Sequence, residues 1–141
     1  MISDAQGVPL LVVTTPANVR DERPFLAMLD ALPTIRMPSG RKRRKPGAAV
    51  GDRGYGFPWI IKQVVRRRIQ SLLDPRGSPH GSGLGKVRWM IERTMAWMTG
   101  FRRIVQCYER LPEHWQAFND LACCMICANR LAAIQQRKAA A

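Results

Sequence analysis

Two carboxylates, Asp52 and Glu92, are the residues whose surroundings point to chemistry. Asp52 ends an apolar-into-turn run, Ala48-Ala49-Val50-Gly51-Asp52-Arg53-Gly54-Tyr55, and Glu92 sits in an amphipathic basic segment, Lys86 to Arg103. They are two of ten acidic residues in a chain that carries 23 Lys and Arg. Scarce acids among many arginines suit a cation site beside a polyanion, because Mg²⁺ takes hard oxygen ligands while phosphates attract cations. In such a site two ions about 3.5–4 Å apart stabilise the attacking and leaving oxygens of an in-line phosphodiester displacement. Spacing alone leaves plainer roles open. Glu92 would pair with Arg88 one helical turn earlier, and Asp52 would bond the backbone of its own turn.

The charge distribution sharpens the choice of partner. The net charge is +13, and the stretch 36–110 holds eighteen basic and four acidic residues, so all of the excess lies there. A concentration of that kind draws nucleic acid through phosphate neutralisation and counterion release. A membrane is not expected, since no apolar span of about 18 residues and no secretory leader is read in the chain. The run Arg41, Lys42, Arg43, Arg44 and Lys45, within a basic loop over 36–47, either neutralises several phosphates or is simply solvated. Arg66 to Arg68 pose the same choice.

Cys124-x-x-Cys127 has the spacing of half a zinc or redox site, but no second pair follows. Cys107, Cys123, Cys124 and Cys127 read better as small apolar residues of a cytosolic protein. Trp89 and Trp97 read as candidate stacking surfaces for an unpaired base, Trp97 at helical spacing reading better as core, and His80 reads as a loop residue.

The elements that must position these residues follow from periodicity. The length of 141 residues fits one domain. Val8 to Thr15 reads as a strand covered on both faces, with Pro9 at its start. Asp21 is placed to cap a helix with Pro24 in its first turn, Phe25, Leu26, Leu29 and Leu32 inward, and Pro33 as its stop. Gly47 to Asp52 reads as a strand, Ile60, Ile61, Val64 and Val65 as a helix, and Ile69 to Leu73 as a further strand; 74–85 is a flexible connector. In the helix Lys86 to Arg103, Val87, Ile91, Met95 and Met98 form the apolar stripe, with Met90, Trp97 and Phe101 beside it. Glu92 falls on the polar side with Arg88, Thr99 and Arg103. A last helix from Glu113 to Arg137 would pack through Trp115, Phe118, Leu121, Met125 and Leu131. The order is that of an α/β fold, a small mixed sheet covered by helices.

Longer motifs narrow this further. Gly51-Asp52-Arg53-Gly54-Tyr55, then Arg88-Trp89-Met90-Ile91-Glu92-Arg93-Thr94-Met95-Ala96-Trp97, Phe101-Arg102-Arg103 and Tyr108-Glu109-Arg110 closely resemble the DDE transposases of bacterial insertion sequences. The group they resemble is the insertion-sequence-five family within the insertion-sequence-four superfamily. Asp4 to Leu10, Asn18 to Asp21 and His114 to Phe118 extend it over almost the whole chain.

The resemblance implies an RNase H-like fold. Here it would be an incomplete mixed sheet with its first strands missing, a single partial catalytic domain over 1–141. It implies Mg²⁺- or Mn²⁺-dependent DNA strand cleavage and strand transfer, with Asp52 as the second and Glu92 as the third acid and metal ligand of the triad. Arg88 matches the arginine of the family's tyrosine-arginine-glutamate signature, and Gly85 stands where that signature has its tyrosine. Double-stranded DNA, at the element's ends and at the target, would be held by Arg88, Arg93, Arg41 to Lys45, Arg102 and Arg103. The first acid is expected on a strand upstream of the segment matching Asp4 to Leu10, and Asp4 itself matches a turn residue. The two-metal site is therefore expected to be complete only with that upstream aspartate, supplied by an upstream-frame transposase part or lost in a decayed copy. The polypeptide alone is expected to be inactive. Oligomerisation and a bacterial cytoplasmic location are implied too. The rival expectation is a non-catalytic basic module that binds nucleic acid.

Overall fold

The computed structural model describes residues 1–37, 39–75, 77 and 85–140, the side chains of 85–88 excepted. Helices and short strands alternate, an α/β composition, and the chain forms two compact units: Met1–Thr15 with Met90–Ala141, and Pro16–Trp89.

The Pro16–Trp89 unit is built from elements adjacent in sequence. Helix α1, Glu22–Asp30, buries Phe25, Met28 and Leu29. Asp21 occupies its capping position but makes no side-chain cap bond, and Leu26 and Leu32 are only half-buried, which corrects part of the expected inward face. Strand β5, Ala48–Gly51, runs into helix α2, Pro58–Arg66, and returns as β6, Gln70–Leu73; the two strands pair in parallel, Ala48 opposite Gln70 through Gly51 opposite Leu73. Parallel neighbours need such a crossover. Pro58 suits the first turn of α2, where its missing N–H costs nothing. Ile60 and Val64 are fully buried, with Ile69 and Leu73 sealing the same core. Arg67, just past α2, reaches Asp30 at the end of α1 in a 2.7 Å ion pair.

The basic run is not the open loop expected over 36–47. Strand β3, Ile35–Arg36, pairs antiparallel with β4, Lys42–Arg43, around a turn in which Gly40 takes φ +77°. Arg41 to Lys45 are all exposed, so the hairpin orders the backbone while leaving the charges in water.

In the other unit, β1, Ile2–Ser3, and β2, Pro9–Leu11, form a short antiparallel pair in place of the longer strand read to Thr15. Helix α3, Gly85–Thr99, stops at Gly100, and α4, Arg102–Val105, and α5, Pro112–Ala139, follow. The single helix read from Lys86 to Arg103 is thus two, separated by a break at the residue with the greatest backbone freedom. The buried side of α3 also differs from the expected stripe. Thr94 and Met98 are buried, whereas Ile91 and Met95 are exposed, because Thr94 packs on the β1–β2 turn. Its Oγ1 lies 2.6 Å from the carbonyl oxygen of Gly7. Gly7 has φ +77°, and a Cβ there would come within 3.0 Å of Thr94 Oγ1 and the Met90 carbonyl, so glycine answers both demands.

Helix α5 likewise turns inward on Asn119, Ala122 and Ile126, while Leu121, Met125 and Leu131, expected to pack, are exposed. Ala122 and Ile126 form a core with Met98, flanked by Met1, Trp97, Phe101, Ile104 and Cys123. Gln116 fixes the segment that follows β2 to α5: its Oε1 accepts from Thr14 N at 2.8 Å, and its Nε2 donates to the Val12 carbonyl at 3.0 Å. By length and composition alone α5 is long and apolar enough to cross a bilayer, contrary to the expectation that no such span exists.

Candidate functional site

Asp52 leaves the carboxyl end of β5, the end of a parallel strand pair outside which α/β proteins place their ligands. Its Oδ1 accepts from Gly54 N at 2.8 Å and starts the short 3-10 turn Arg53–Tyr55. A Cβ on Gly54 would stand 2.8 Å from that same oxygen, so a side chain at 54 would require the Asp52 carboxylate to shift. The plain turn role is therefore realised, yet the side chain stays exposed. Because Gly51 is opposite Leu73, Asp74 leaves β6 at the same end as Asp52 leaves β5. In the sequence Asp74 marks only the start of a connector. The signal available was an acid directly after each of two apolar runs.

Negative charge collects around this turn. Tyr55 is half-buried with its ring 5.0 Å from that of Phe25. Burial pushes its phenol up, and the carboxylates of Asp21, Asp52 and Glu22 push it further. Glu22 is itself bound at 2.8 Å by Arg20, whose guanidinium lies 5.6 Å over the Phe57 ring.

Glu92 belongs to the other unit, exposed on α3 away from the buried Thr94 and Met98. The side chain of Arg88 lies outside the described residues, as does His80. Arg93, expected on DNA, is half-buried; it donates to the Gln6 carbonyl and lies 5.0 Å over the Trp97 ring, with Arg130 5.5 Å from the same ring. Arg102 and Arg103 are exposed on α4, and Arg103 binds Glu109 at 2.8 Å. Asp4 takes a turn role: its Oδ1 accepts from both Gln6 N and Val8 N at 2.8 Å.

Carboxylate oxygens are the right donors for Mg²⁺. Among the described residues no three or more His, Cys, Asp or Glu gather as a metal centre. Burial pushes the Cys123 thiol up to about 11 and raises that of Cys127 as well.

The chain is 40% identical over 131 residues to a protein of Burkholderia cepacia described as a putative transposase for insertion sequence element IS402. That match takes in 93% of this chain and 62% of the relative, so the chain spans less than two thirds of the relative's length. No solved structure matches it. The family described as Transposase DDE domain matches residues 1–127, and on that match the chain belongs to this family of insertion-sequence transposases.

Proposed function

We propose that the chain is part of an RNase H-like transposase catalytic domain that cleaves and joins DNA strands at the ends of an insertion sequence, in a Mg²⁺- or Mn²⁺-dependent reaction. The observation that carries this reading is an exposed carboxylate, Asp52, held at the carboxyl end of a parallel strand pair in a chain matching the family over residues 1–127. Asp52 and Glu92 would serve as acid ligands of the divalent ions, two members of a carboxylate triad. A bound divalent cation supplies positive charge at the attacking and leaving oxygens of the phosphodiester.

The chain's own residues do the rest. The Gly54 amide fixes one oxygen of Asp52 and so sets the direction of the carboxylate. The exposed cations of the β3–β4 hairpin, with Arg88, Arg102 and Arg103, neutralise backbone phosphates without reading sequence. Arg93, turned onto Gln6 and Trp97, stiffens the helix that carries Glu92. The protein works on double-stranded DNA in the bacterial cytoplasm, as an oligomer.

Cleavage of element ends by this chain, joined to the upstream segment of its longer relatives, tests the proposal. Asp52→Ala and Glu92→Ala are each expected to lower cleavage at least about 100-fold while leaving DNA binding within about twofold, as removal of a charge-stabilising group does. Normal cleavage by Glu92→Ala would overturn the assignment. A second reading, a basic binding module without catalysis, is favoured by the exposure of all five residues Arg41 to Lys45. It predicts binding with no metal-dependent cleavage in any of these proteins.

A further inference from the structure

Beyond the Gly100 break, α4 and the segment 106–111 place two guanidinium groups beside an exposed phenol. Arg102, Arg103 and Tyr108 line an open depression of about 460 Å³. Arg103 is held from three directions. It donates to Glu109 Oε1 at 2.8 Å, and its guanidinium lies 5.3 Å from the Phe118 ring and 5.8 Å from the Tyr108 ring. A planar cation pinned in this way has little rotamer freedom left to lose when a phosphate arrives.

Tyr108 is 60% exposed, yet it is not loose. Its hydroxyl donates to Gln106 Oε1, and Arg103 sits over its ring, so a fixed aromatic surface faces water. Arg102 stands exposed at the same depression and forms no salt bridge among the described residues. A stacking surface flanked by two cations is the arrangement that takes an unstacked base together with its phosphate.

We propose that the Arg102, Arg103 and Tyr108 depression binds one unpaired nucleotide of a DNA strand, the base on Tyr108 and the phosphate between the two arginines. The proposal rests on the reading that the chain works on DNA. It adds a preference that backbone neutralisation cannot give, for single-stranded or frayed DNA over closed duplex. Bases in a duplex are stacked on one another and offer no free face to Tyr108.

The test is fluorescence anisotropy with the full chain, at one salt concentration, on a labelled oligothymidylate of about 12 residues, within the range of single-strand site sizes, and on a blunt duplex. Tyr108→Ala is expected to weaken single-strand binding about 5- to 160-fold, the range of one lost base stack, and to leave duplex binding within about twofold. Tyr108→Phe keeps the ring and should bind single strand within about twofold of wild type, separating stacking from a role of the hydroxyl. Arg102→Ala should weaken single-strand binding and reduce the dependence of log affinity on log salt by about 0.7. Unchanged single-strand binding by Tyr108→Ala, with duplex binding intact, would overturn the nucleotide site and leave the DNA reading standing. Failure of the wild-type protein to bind either DNA would overturn both. Competition by thymidine monophosphate as effective as unlabelled oligonucleotide would overturn the strand assignment in favour of a free nucleotide.

Discussion

The two compact units bury their helices by different routes. In Pro16–Trp89 the strand, helix and strand that make the core are consecutive, and the residues at the centre, Ile60 and Val64, are the apolar ones that helical periodicity selects. In the other unit, α3 and α5 are oriented by a strand pair from the far end of the chain, and polar residues lie inward: Thr94 against Gly7, 87 positions away, and Asn119 bonding the Trp115 carbonyl. Local pattern decides orientation where the partners are sequence neighbours. Where they are not, a specific contact outweighs a few exposed methyl groups.

The sharpest way to break this comparison is to truncate one apolar side chain in each unit. Ile60→Ala removes a fully buried side chain and is expected to cost about 2–5 kcal/mol. Leu131→Ala, at a residue 57% exposed and counted by periodicity as core, is expected to change stability by no more than about 0.5 kcal/mol. Urea unfolding of the two variants, compared through midpoint and slope, measures both; equal losses would mean that α5 is covered on the side left open here.

Next in size is the polar contact that sets α3. Thr94→Val keeps the shape but leaves the buried Gly7 carbonyl without the hydroxyl, a loss expected at about 1–3 kcal/mol. Thr94→Ser retains the donor and should recover most of that loss. If valine is as stable as threonine, apolar packing alone orients the helix and the contrast between the units disappears.

What the sequence made legible follows the same division. The β5–α2–β6 order, the position of Asp52 at the strand's end and the Asp-x-Gly turn are all local, and each was readable from apolar runs ended by turn residues. The facing of α3 was not, because Thr94 looks like any polar helix residue until Gly7 is known to lie against it. Gln116 is a similar case: an amide in the first turns of a helix gives no sign that it will bond the backbone of a segment over 100 positions earlier. Asp74 is inconspicuous in the sequence for another reason. Its importance depends on the parallel register that puts it level with Asp52, and register is not written in either strand alone.

The smallest effect concerns how the Pro16–Trp89 unit ties its own helices. The bidentate bond from Arg67, with Nε at 2.8 Å and an outer nitrogen at 2.7 Å, holds the Asp30 carboxyl below its ordinary value of 3.8. A carboxylate lowered on folding adds stability at pH values above its unfolded pKa, and the gain is lost as pH falls through the folded one. Asp30 is well exposed, so solvent screening limits the contribution to about 0.2–1 kcal/mol. Asp30→Asn should therefore lie below wild type by a constant small amount from pH 7 down to about pH 5, and the gap should close below 3.8. Thermal unfolding of both proteins across that range reads the difference directly. A gap that widened in acid would assign the loss to the amide's packing and remove the ion pair from the forces joining α1 to α2.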